Sequence, residues 1–311
     1  MEGLTGLVVK YGSPDYLFEW SIILPFNSNA CLDFDGPLAR RIFVFLKNIF
    51  VYPIKSMKGT EVPEASVEEK GLQHDRRWML IDANNRFITQ REQPRLALLS
   101  VEVTHEGLLI TSPADGQVTV PFQPLDGQPE RVNIWDNISD SLIVSRELDQ
   151  WFSQVLQISC RLVQMAPEDK RPVPVEYAVN SESVSFADEY PFMLVSEGSL
   201  DELNRRLDVP VQMNRFRPNF VIAGSLPFAE DEWKNISIGS TSFHGVKSCG
   251  RCVMTTVDQE TGVKAGPEPL KTLAEFREKN GKVLFGRNLI AANPGGVVRV
   301  GDPLIVSGAD T

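Results

Sequence analysis

The sequence predicts an α+β protein that is rich in antiparallel strands. Short runs of β-branched and aromatic residues recur along the chain, separated at close intervals by Gly, Pro, Asp and Asn turns. Apolar residues at helical spacing occur in only a few places. Residues 145–156 are the clearest, with Leu148, Phe152 and Val155 on one face. This combination is typical of antiparallel sheets or barrels that carry a small number of helices.

The first half of the chain has a dense strand pattern. It opens with the run NIFVYPI at residues 48–54, and a basic turn at residues 55–59 follows. Further strands are predicted at residues 78–82, 86–90, 95–103, 108–111, 118–122, 132–135, 141–144 and 160–165. Ser145 is predicted to cap helix 145–156. Residues 166–187 are polar, with several prolines and acids, which predicts a loop or domain linker.

The second half is predicted to combine strands with two short helices. Strands are predicted at residues 190–195, 215–222 and 283–290, with hairpins at 236–246 and 297–306. The run SLDE that begins at Ser199 forms a capping box, which predicts a helix that continues to Leu207. Pro269 is predicted at the first position of the other helix.

Composition restricts the class of protein. The formal net charge of −10 argues against general nucleic-acid binding, which needs a basic face. No apolar run reaches the roughly 20 residues of a membrane-spanning helix. Four cysteines in 311 residues do not make a disulfide framework and favour a reducing compartment.

Residues 1–46 are predicted to be an N-terminal extension of unknown role. The apolar run LFEWSIIL at residues 17–24 contains Glu19 and has no basic flank before it, unlike a signal peptide. The segment is also too acidic for a typical transit peptide. We therefore expect a bacterial cytoplasmic location rather than a mitochondrial one.

The reactive residues are concentrated in the run SCGRCVMTTVD at residues 248–258. Arg251 lies between Cys249 and Cys252, and a guanidinium favours the thiolate form of a neighbouring cysteine. Three interpretations remain open. A zinc site would need four ligands, and only His244 lies near as a third. A dithiol redox pair usually lies between a strand and a helix, whereas both sides here look like strands. The third interpretation is a single soft thiolate ligand for a transition metal.

Four cations lie at or near predicted strand ends and are candidates for binding one anionic cofactor. They are Lys55, Arg76, Arg217 and Arg251. Arginine binds phosphate through its bidentate fork, so convergence would suit a phosphorylated cofactor. The alternative is that each is an ordinary surface cation.

Seven short motifs resemble one known family, in family order across residues 48–305. They are YPIKSMKG (52–59), DRRW (75–78), TQRE (89–92), FRPN (216–219), CGRC (249–252), TTVD (255–258) and VGDP (300–303). The chain resembles MOSC-domain proteins with an N-terminal MOSC β-barrel, the group that includes the mitochondrial amidoxime-reducing component and its bacterial counterparts. The resemblance implies a barrel-like domain at residues 47–166 and a C-terminal MOSC β-barrel domain at residues 167–311.

The resemblance also implies a molybdenum cofactor, a pyranopterin dithiolene with a terminal phosphate. Cys252 matches the cysteine that ligates molybdenum. The residues that match the family's contacts to the pterin and phosphate are Lys55, Ser56, Arg76, Arg217, Asn219 and Arg251. Gly250 and Asn288 depart from the residues of some relatives. The resemblance further carries a family-level association with pyridoxal phosphate binding.

The implied reaction reduces an N-hydroxylated substrate, so that N–OH becomes N–H plus water with two electrons and two protons. Cys252 and Asp258 are the predicted catalytic residues. Asp258 would orient Thr255, Thr256 or the substrate, or assist proton transfer, and its alternative role is a turn cap. We expect a separate electron donor, which would be a flavin reductase or a haem or iron–sulfur carrier. The alternative function is a non-catalytic carrier of sulfur or of molybdenum cofactor that uses Cys252.

Overall fold

The computed structural model describes residues 43–307, so most of the predicted extension at residues 1–46 lies outside the described part. The strands of residues 43–307 are, in chain order, β1 (Phe45–Val51), β2 (Thr60–Val62), β3 (Glu64–Glu68), β4 (Gly71–Leu72), β5 (Trp78–Ile81), β6 (Ser100–Val103), β7 (Gly107–Ser112), β8 (Gly116–Pro121), β9 (Pro129–Ile134), β10 (Asn137–Ile143), β11 (Arg161–Met165), β12 (Phe192–Ser196), β13 (Phe220–Ala223), β14 (Asn235–Ile238), β15 (Thr241–Arg251), β16 (Glu278–Lys279), β17 (Lys282–Ala291), β18 (Val297–Arg299) and β19 (Leu304–Ser307). The α-helices of the same part are α1 (Arg146–Leu156), α2 (Glu197–Asn204) and α3 (Leu270–Arg277). The predicted strand-rich α+β class is confirmed.

The largest sheet contains nine strands in the order β19-β14-β15-β17-β12-β13-β1-β2, with β16 paired to β17. Within it β12 and β13 run parallel, because the chain passes through α2 between them. The other pairs in this sheet are antiparallel. Three smaller sheets have the orders β5-β11-β10-β9, β18-β3-β4 and β6-β7-β8.

Two main hydrophobic cores hold these sheets. The core at the large sheet contains Leu46, Ile49 and an aromatic cluster of Phe192, Phe220 and Phe243, whose ring centroids lie 5.4–5.8 Å apart. The second core packs α1 against the β6-β7-β8 sheet and against strands β5 and β11, and it contains residues such as Trp78, Leu108 and Phe152. The buried residues of α1 are those that its helical spacing predicts, namely Leu148, Phe152, Val155 and Leu156.

Three predicted strands are shorter than expected or are replaced by other structure. Residues 86–90 form only two isolated bridges, Phe87 with Ile81 and Arg86 with Asn133, and residues 95–98 belong to a 3₁₀ helix, Pro94–Leu98. Proline at the start of that helix fixes a φ suited to a helical turn. Strand β13 starts at Phe220 instead of residue 215. Arg217 adopts a left-handed φ of 54°, and Pro218 has no N–H to donate to a neighbouring strand.

Two predicted local motifs are also wrong. Helix α2 begins at Glu197 with Ser196 as its N-cap, because the Ser196 hydroxyl accepts from Ser199 N, and the helix ends at Asn204. The hairpin predicted at residues 297–306 does not form. Instead β18 pairs with β3 and β19 with β14, so each strand of the predicted hairpin joins a different sheet.

Strands from both halves of the sequence share the large sheet. β1 pairs with β13, and Leu46, Val51 and Val67 pack into the same core as Phe192 and Phe220. The expected domain limits, residues 47–166 and 167–311, stay a prediction, and the large sheet crosses them. No α-helix within residues 43–307 has the length and apolar character that crossing a membrane requires.

Candidate functional site

All the residues predicted to hold a cofactor line one cavity of about 890 Å³. They come from the turn after β1, the turn before β5, the segment before β13 and the end of β15. Those that line the cavity are Lys55, Ser56, Arg76, Arg217, Asn219, Arg251 and Cys252. Positions that are far apart in the sequence therefore meet at one place in the fold.

The cavity has a strongly positive lining. Nine basic side chains face three acidic ones. The basic residues are Lys55, Arg76, Arg91, Arg171, Arg215, Arg217, Lys247, Arg251 and Lys282, and the acidic residues are Asp136, Asp188 and Glu189. The 311 residues together carry a formal net charge of −10, so this concentration of cations is local. A concave surface of one charge sign focuses its field on ligands of the opposite sign, and the cavity is suited to an anion.

The ring of Tyr52 packs against two of these cations. The guanidinium carbons of Arg76 and Arg217 lie 4.2 Å and 4.3 Å from the centre of its ring. Burial raises the pKa of Tyr52 to about 12, and its hydroxyl donates to Pro218 O at 3.1 Å. Arg76 also donates to Asp75 Oδ2 at 2.6 Å, and Asp75 is fully buried. The two guanidinium groups are thus both held against the Tyr52 ring.

Backbone strain is concentrated among the predicted cofactor-binding residues. Ser56, Arg76 and Arg217 have φ angles of 69°, 50° and 54°, in the left-handed region that non-glycine residues seldom adopt. Such strain persists where the surrounding structure fixes it, and it clusters at ligand sites. Arg217 is fixed by its donation to Met57 O at 2.7 Å.

Lys55 and Asp188 form an ion pair on the cavity wall. Lys55 Nζ donates to Asp188 Oδ1 at 2.5 Å and to Phe186 O at 2.6 Å. Burial lowers the pKa of Lys55 to about 8, although Asp188 opposes that shift. Burial disfavours the charged form of Asp188, but Lys55 and Arg91 together hold its pKa well below its ordinary value. Asp188 is therefore a carboxylate at neutral pH that holds two cations in place.

Cys252 is in contact with Arg91, a residue without a predicted role. Arg91 Nε donates to Cys252 Sγ at 3.4 Å, and the same guanidinium donates to Asp188 Oδ2 at 3.2 Å. Burial opposes the charge of Arg91, but Asp188 and Cys252 raise its pKa above the ordinary value. Arg91 belongs to the TQRE motif, so a signal was present in the sequence without a role attached to it.

The two cysteines of the C-x-x-C have different partners. Cys249 Sγ accepts from Arg251 at 3.1 Å, whereas Cys252 Sγ accepts from Arg91, and both are free thiols. His244, the third candidate zinc ligand, contacts Asn235 Oδ1 through Nδ1 at 2.9 Å. Among residues 43–307 no three His, Cys, Asp or Glu side chains are grouped as metal ligands. The geometry therefore separates the sulfurs instead of pairing them in one site.

Three donors on residues that line the cavity have no partner of their own within residues 43–307. Ser56 Oγ, Tyr190 Oη and Arg251 Nε are buried and make no hydrogen bond to the described part of the protein. An unsatisfied buried polar group costs about 1–3 kcal/mol, and a bound ligand is one way to remove that cost. Ser56 and Arg251 belong to the predicted cofactor-binding set, and these donors and the surrounding cations fit a ligand that is anionic and rich in acceptors. A pterin with a phosphate has that chemistry.

Asp258, the second predicted catalytic residue, does not line the cavity. Its Oδ1 accepts from Thr261 N at 2.8 Å and from Glu260 N at 3.1 Å, which is the geometry of a turn cap. Its Oδ2 accepts from Arg215 at 2.7 Å, and Arg215 does line the cavity. The structure therefore places Asp258 behind Arg215, where it positions that cation.

Two known domain families match the described chain, one in each half of the sequence. The MOSC N-terminal beta barrel domain matches residues 43–159, and the MOSC domain matches residues 181–305. Mitochondrial amidoxime-reducing component 1 of Mus musculus is 34% identical over 278 residues, which cover 84% of this chain and 81% of that protein. The Homo sapiens protein of the same name is 32% identical, with 84% and 82% covered. Molybdenum cofactor sulfurase of Arabidopsis thaliana is 31% identical over 78% of this chain, which corresponds to 32% of its own length.

Proposed function

The chain belongs to the family of MOSC-domain proteins with an N-terminal MOSC β-barrel, and from that premise we propose that it is a molybdenum-cofactor-dependent oxidoreductase. In this proposal it reduces N-hydroxylated compounds to the N–H compound and water. The observation that carries the proposal is the meeting of Cys252 and six predicted cofactor-binding residues at one cation-rich cavity. The names of the amidoxime-reducing relatives support the choice of reaction.

The residues of the cavity suggest how the cofactor would be held. Cys252 would ligate the molybdenum through its sulfur. Lys55, Arg76, Arg217 and Arg251 would neutralise the phosphate, while Ser56 and Asn219 would supply hydrogen bonds to the pterin. When bound, the cofactor supplies the two-electron redox chemistry by which N–OH becomes N–H.

Hydrogen bonds within the protein already orient two of the proposed cofactor-binding side chains, Asn219 and Arg251. Asn219 Oδ1 accepts from Arg76 at 3.2 Å and from Met193 N at 3.2 Å, so this side chain is already oriented. Arg251 donates to Phe216 O at 2.6 Å, which leaves its Nε as the group without a partner in the described chain. Preorganised donors of this kind bind an anion without a large cost of reordering.

The proposal is tested first by composition and turnover. We expect protein purified from a host that makes molybdenum cofactor to contain molybdenum and pterin in equal amounts. We also expect it to reduce an amidoxime with a chemical electron donor, which replaces the separate donor protein that the proposal includes. Absence of both metal and pterin would overturn the proposal.

The two cysteines provide a matched pair of variants. Cys252→Ala is expected to abolish molybdenum retention and turnover, because it removes the proposed ligand. Cys249→Ala is expected to keep most of both, because Cys249 is not the proposed ligand and its Sγ contacts Arg251 and Gly250 O instead. Equal loss in both variants would contradict the assignment of Cys252 as the ligand.

A second candidate function is supported by the plant relatives. Those proteins are named molybdenum cofactor sulfurases, and this chain corresponds to about a third of their length. The same cavity would then carry sulfur or cofactor through Cys252 without reducing a substrate. Mass spectrometry that detects a persulfide on Cys252, in protein that reduces no N-hydroxylated compound, would favour the carrier.

A further inference from the structure

Trp135 is an exposed aromatic residue on the cavity wall that the cofactor contacts leave unused. It lies in the two-residue turn between β9 and β10, and both turn residues, Trp135 and Asp136, line the cavity. Its side chain is 51% exposed. Its backbone has a φ of 54°, whereas two-residue hairpin turns favour Asn, Asp or Gly at left-handed positions. A bulky aromatic at such a position is strained, and strained residues cluster at ligand sites.

The Trp135 ring is held in place despite its exposure. Its Nε1 donates to Asp188 Oδ1 at 3.3 Å, and its ring meets Phe87 edge-on with centroids 5.0 Å apart. The guanidinium of Arg91 lies 4.9 Å from the ring centre. A ring that is fixed in this way loses little conformational entropy when a ligand packs on it.

The ring is also connected to the proposed metal ligand. Asp188 accepts from both Trp135 and Arg91, and Arg91 donates to Cys252 Sγ. A substrate that reacts near Cys252 would therefore extend toward this indole. The wall of the same cavity also contains the apolar residues Pro174 and Val175, and Val175 is 85% exposed.

We propose that Trp135 is a specificity-determining residue that stacks against the planar aromatic part of an N-hydroxylated substrate. The cavity would then select aromatic substrates over small aliphatic ones. This proposal rests on the proposed reductase function and names the substrate class for that same site. Aromatic rings stack on a fixed indole through dispersion and quadrupole interactions that a methyl group does not reproduce.

The test compares two amidoximes that carry the same reducible group, benzamidoxime and acetamidoxime. Two variants separate the effect of the aromatic ring from the effect of the turn conformation. Trp135→Asn removes the ring and keeps a residue that tolerates the left-handed turn, while Trp135→Phe keeps a ring but loses the N–H to Asp188. Leu125→Ala is the matched control, because Leu125 is 70% exposed and is not part of the cavity wall.

Binding is measured by calorimetry on molybdenum-loaded protein without an electron donor, and steady-state kinetics follow with a chemical donor. We expect Trp135→Asn to weaken benzamidoxime binding by about three- to tenfold and to raise its KM with kcat unchanged. Acetamidoxime should change by less than about twofold, and Trp135→Phe should keep most of the preference. The melting temperature of each variant, expected to stay that of the wild type, verifies folding.

Equal weakening of both compounds in Trp135→Asn would overturn the proposal, as would a fall in kcat alone, since that result would mean that Trp135 acts through Asp188. If the wild type turns over neither compound, the reductase proposal fails. The ratio of the two dissociation constants still decides the role of Trp135 in that case.

Discussion

Arg91 donates from Nε to the sulfur of Cys252 across 3.4 Å, although 161 residues separate them in the sequence. The guanidinium is restrained on its other sides by Asp188 and by the ring of Trp135. Groups that donate to a ligating sulfur orient it and tune the metal that it holds. Arg91 is therefore a positioning residue for the proposed molybdenum ligand.

Arg91→Ala is expected to lower molybdenum retention or turnover per bound molybdenum by about 10- to 100-fold, the usual cost of losing a group that orients a metal ligand. Arg91→Lys should recover only part of this, because an ammonium lacks the planar fork that contacts Asp188 and Cys252 together. Metal analysis and kinetics on the same preparations measure both quantities.

Arg95→Ala is the control for Arg91. Arg95 is exposed and follows four residues later, at the start of the 3₁₀ helix. Its loss should leave molybdenum content and turnover within about twofold of the wild type, as is usual for exposed residues without special contacts. A similar loss in both variants would mean that general charge, and not the contact with Cys252, controls retention.

The buried ion pair between Asp75 and Arg76 is expected to make a large contribution to the free energy of unfolding. Asp75 is fully buried and accepts from Tyr52 N at 2.8 Å as well as from Arg76. Asp75→Ala leaves Arg76 without its anionic partner, and breaking such a pair costs about 3–5 kcal/mol of unfolding free energy. Urea denaturation measures this change.

An exposed pair one residue further along the chain provides the comparison. Arg77 pairs with Glu68 at 2.8 Å, and the Glu68 side chain is 46% exposed. Glu68→Ala should lower the unfolding free energy by less than about 1 kcal/mol, because exposed ion pairs are screened by solvent. If the two variants are equally stable, the Asp75–Arg76 pair has no special structural role.

Several parts of the fold could be predicted from the sequence because they depend on local patterns. The face of α1 is one example, since Leu148 and Phe152 are spaced to reach the same core. The pairing of β18 with β3 could not be predicted, because it depends on long-range packing, and turn residues between two short strands favour a hairpin instead. The start of β13 could not be predicted either, because it depends on the left-handed conformation of Arg217.

In the candidate site, too, some features could be predicted from sequence motifs and others depend on long-range contacts. Lys55, Arg76 and Cys252 were expected at one site from motif resemblance, and they line one cavity. The roles of Arg91 and Asp188 could not be predicted. Arg91 lies in the TQRE motif, but neither that motif nor the loop that contains Asp188 indicates which side chains the two residues contact. Only the geometry shows that Asp188 accepts from Lys55, Arg91 and Trp135.

The lowered pKa of Lys55 predicts that anion binding depends on pH. Burial lowers this pKa from 10.5 to about 8, so Lys55 is charged at pH 7 and mostly neutral at pH 9. Sulfate keeps a constant charge over this range and is a suitable probe. We expect the sulfate affinity of the cofactor-free protein to fall by about three- to tenfold from pH 7 to pH 9, as measured by calorimetry.

Lys55→Arg should remove this pH dependence, because a guanidinium remains charged throughout the range. A sulfate affinity that is equally pH-dependent in Lys55→Arg would assign the effect to another group.

The lowered pKa of Lys55 also affects the pH dependence of stability. Between pH 8 and 10.5 the unfolded chain binds more protons at Lys55 than the folded chain, so this residue makes the unfolding free energy rise with pH.

Two glycines in neighbouring strands of the large sheet should respond differently to substitution. Gly286 in β17 has a φ of 84°, and a Cβ added there would lie 2.8 Å from Leu194 O and 2.7 Å from Val195 Cγ2. Gly250 in β15 has no such φ, and its added Cβ would meet only Lys282 Cδ at 3.8 Å. Gly286→Ala should therefore lower the unfolding free energy by about 2–4 kcal/mol, because it combines backbone strain with a backbone clash.

Gly250→Ala should stay within about 0.5 kcal/mol of the wild type, since the added methyl group enters open space. Urea denaturation of both variants measures the difference. The same open space should accommodate Gly250→Ser. Because Gly250 lines the cavity next to Arg251, the serine would add a hydroxyl beside the proposed cofactor site. If Gly286→Ala proved as stable as Gly250→Ala, β12 and β17 would have to separate at Gly286 without loss of free energy, contrary to the close packing of Leu194 and Val195 against it.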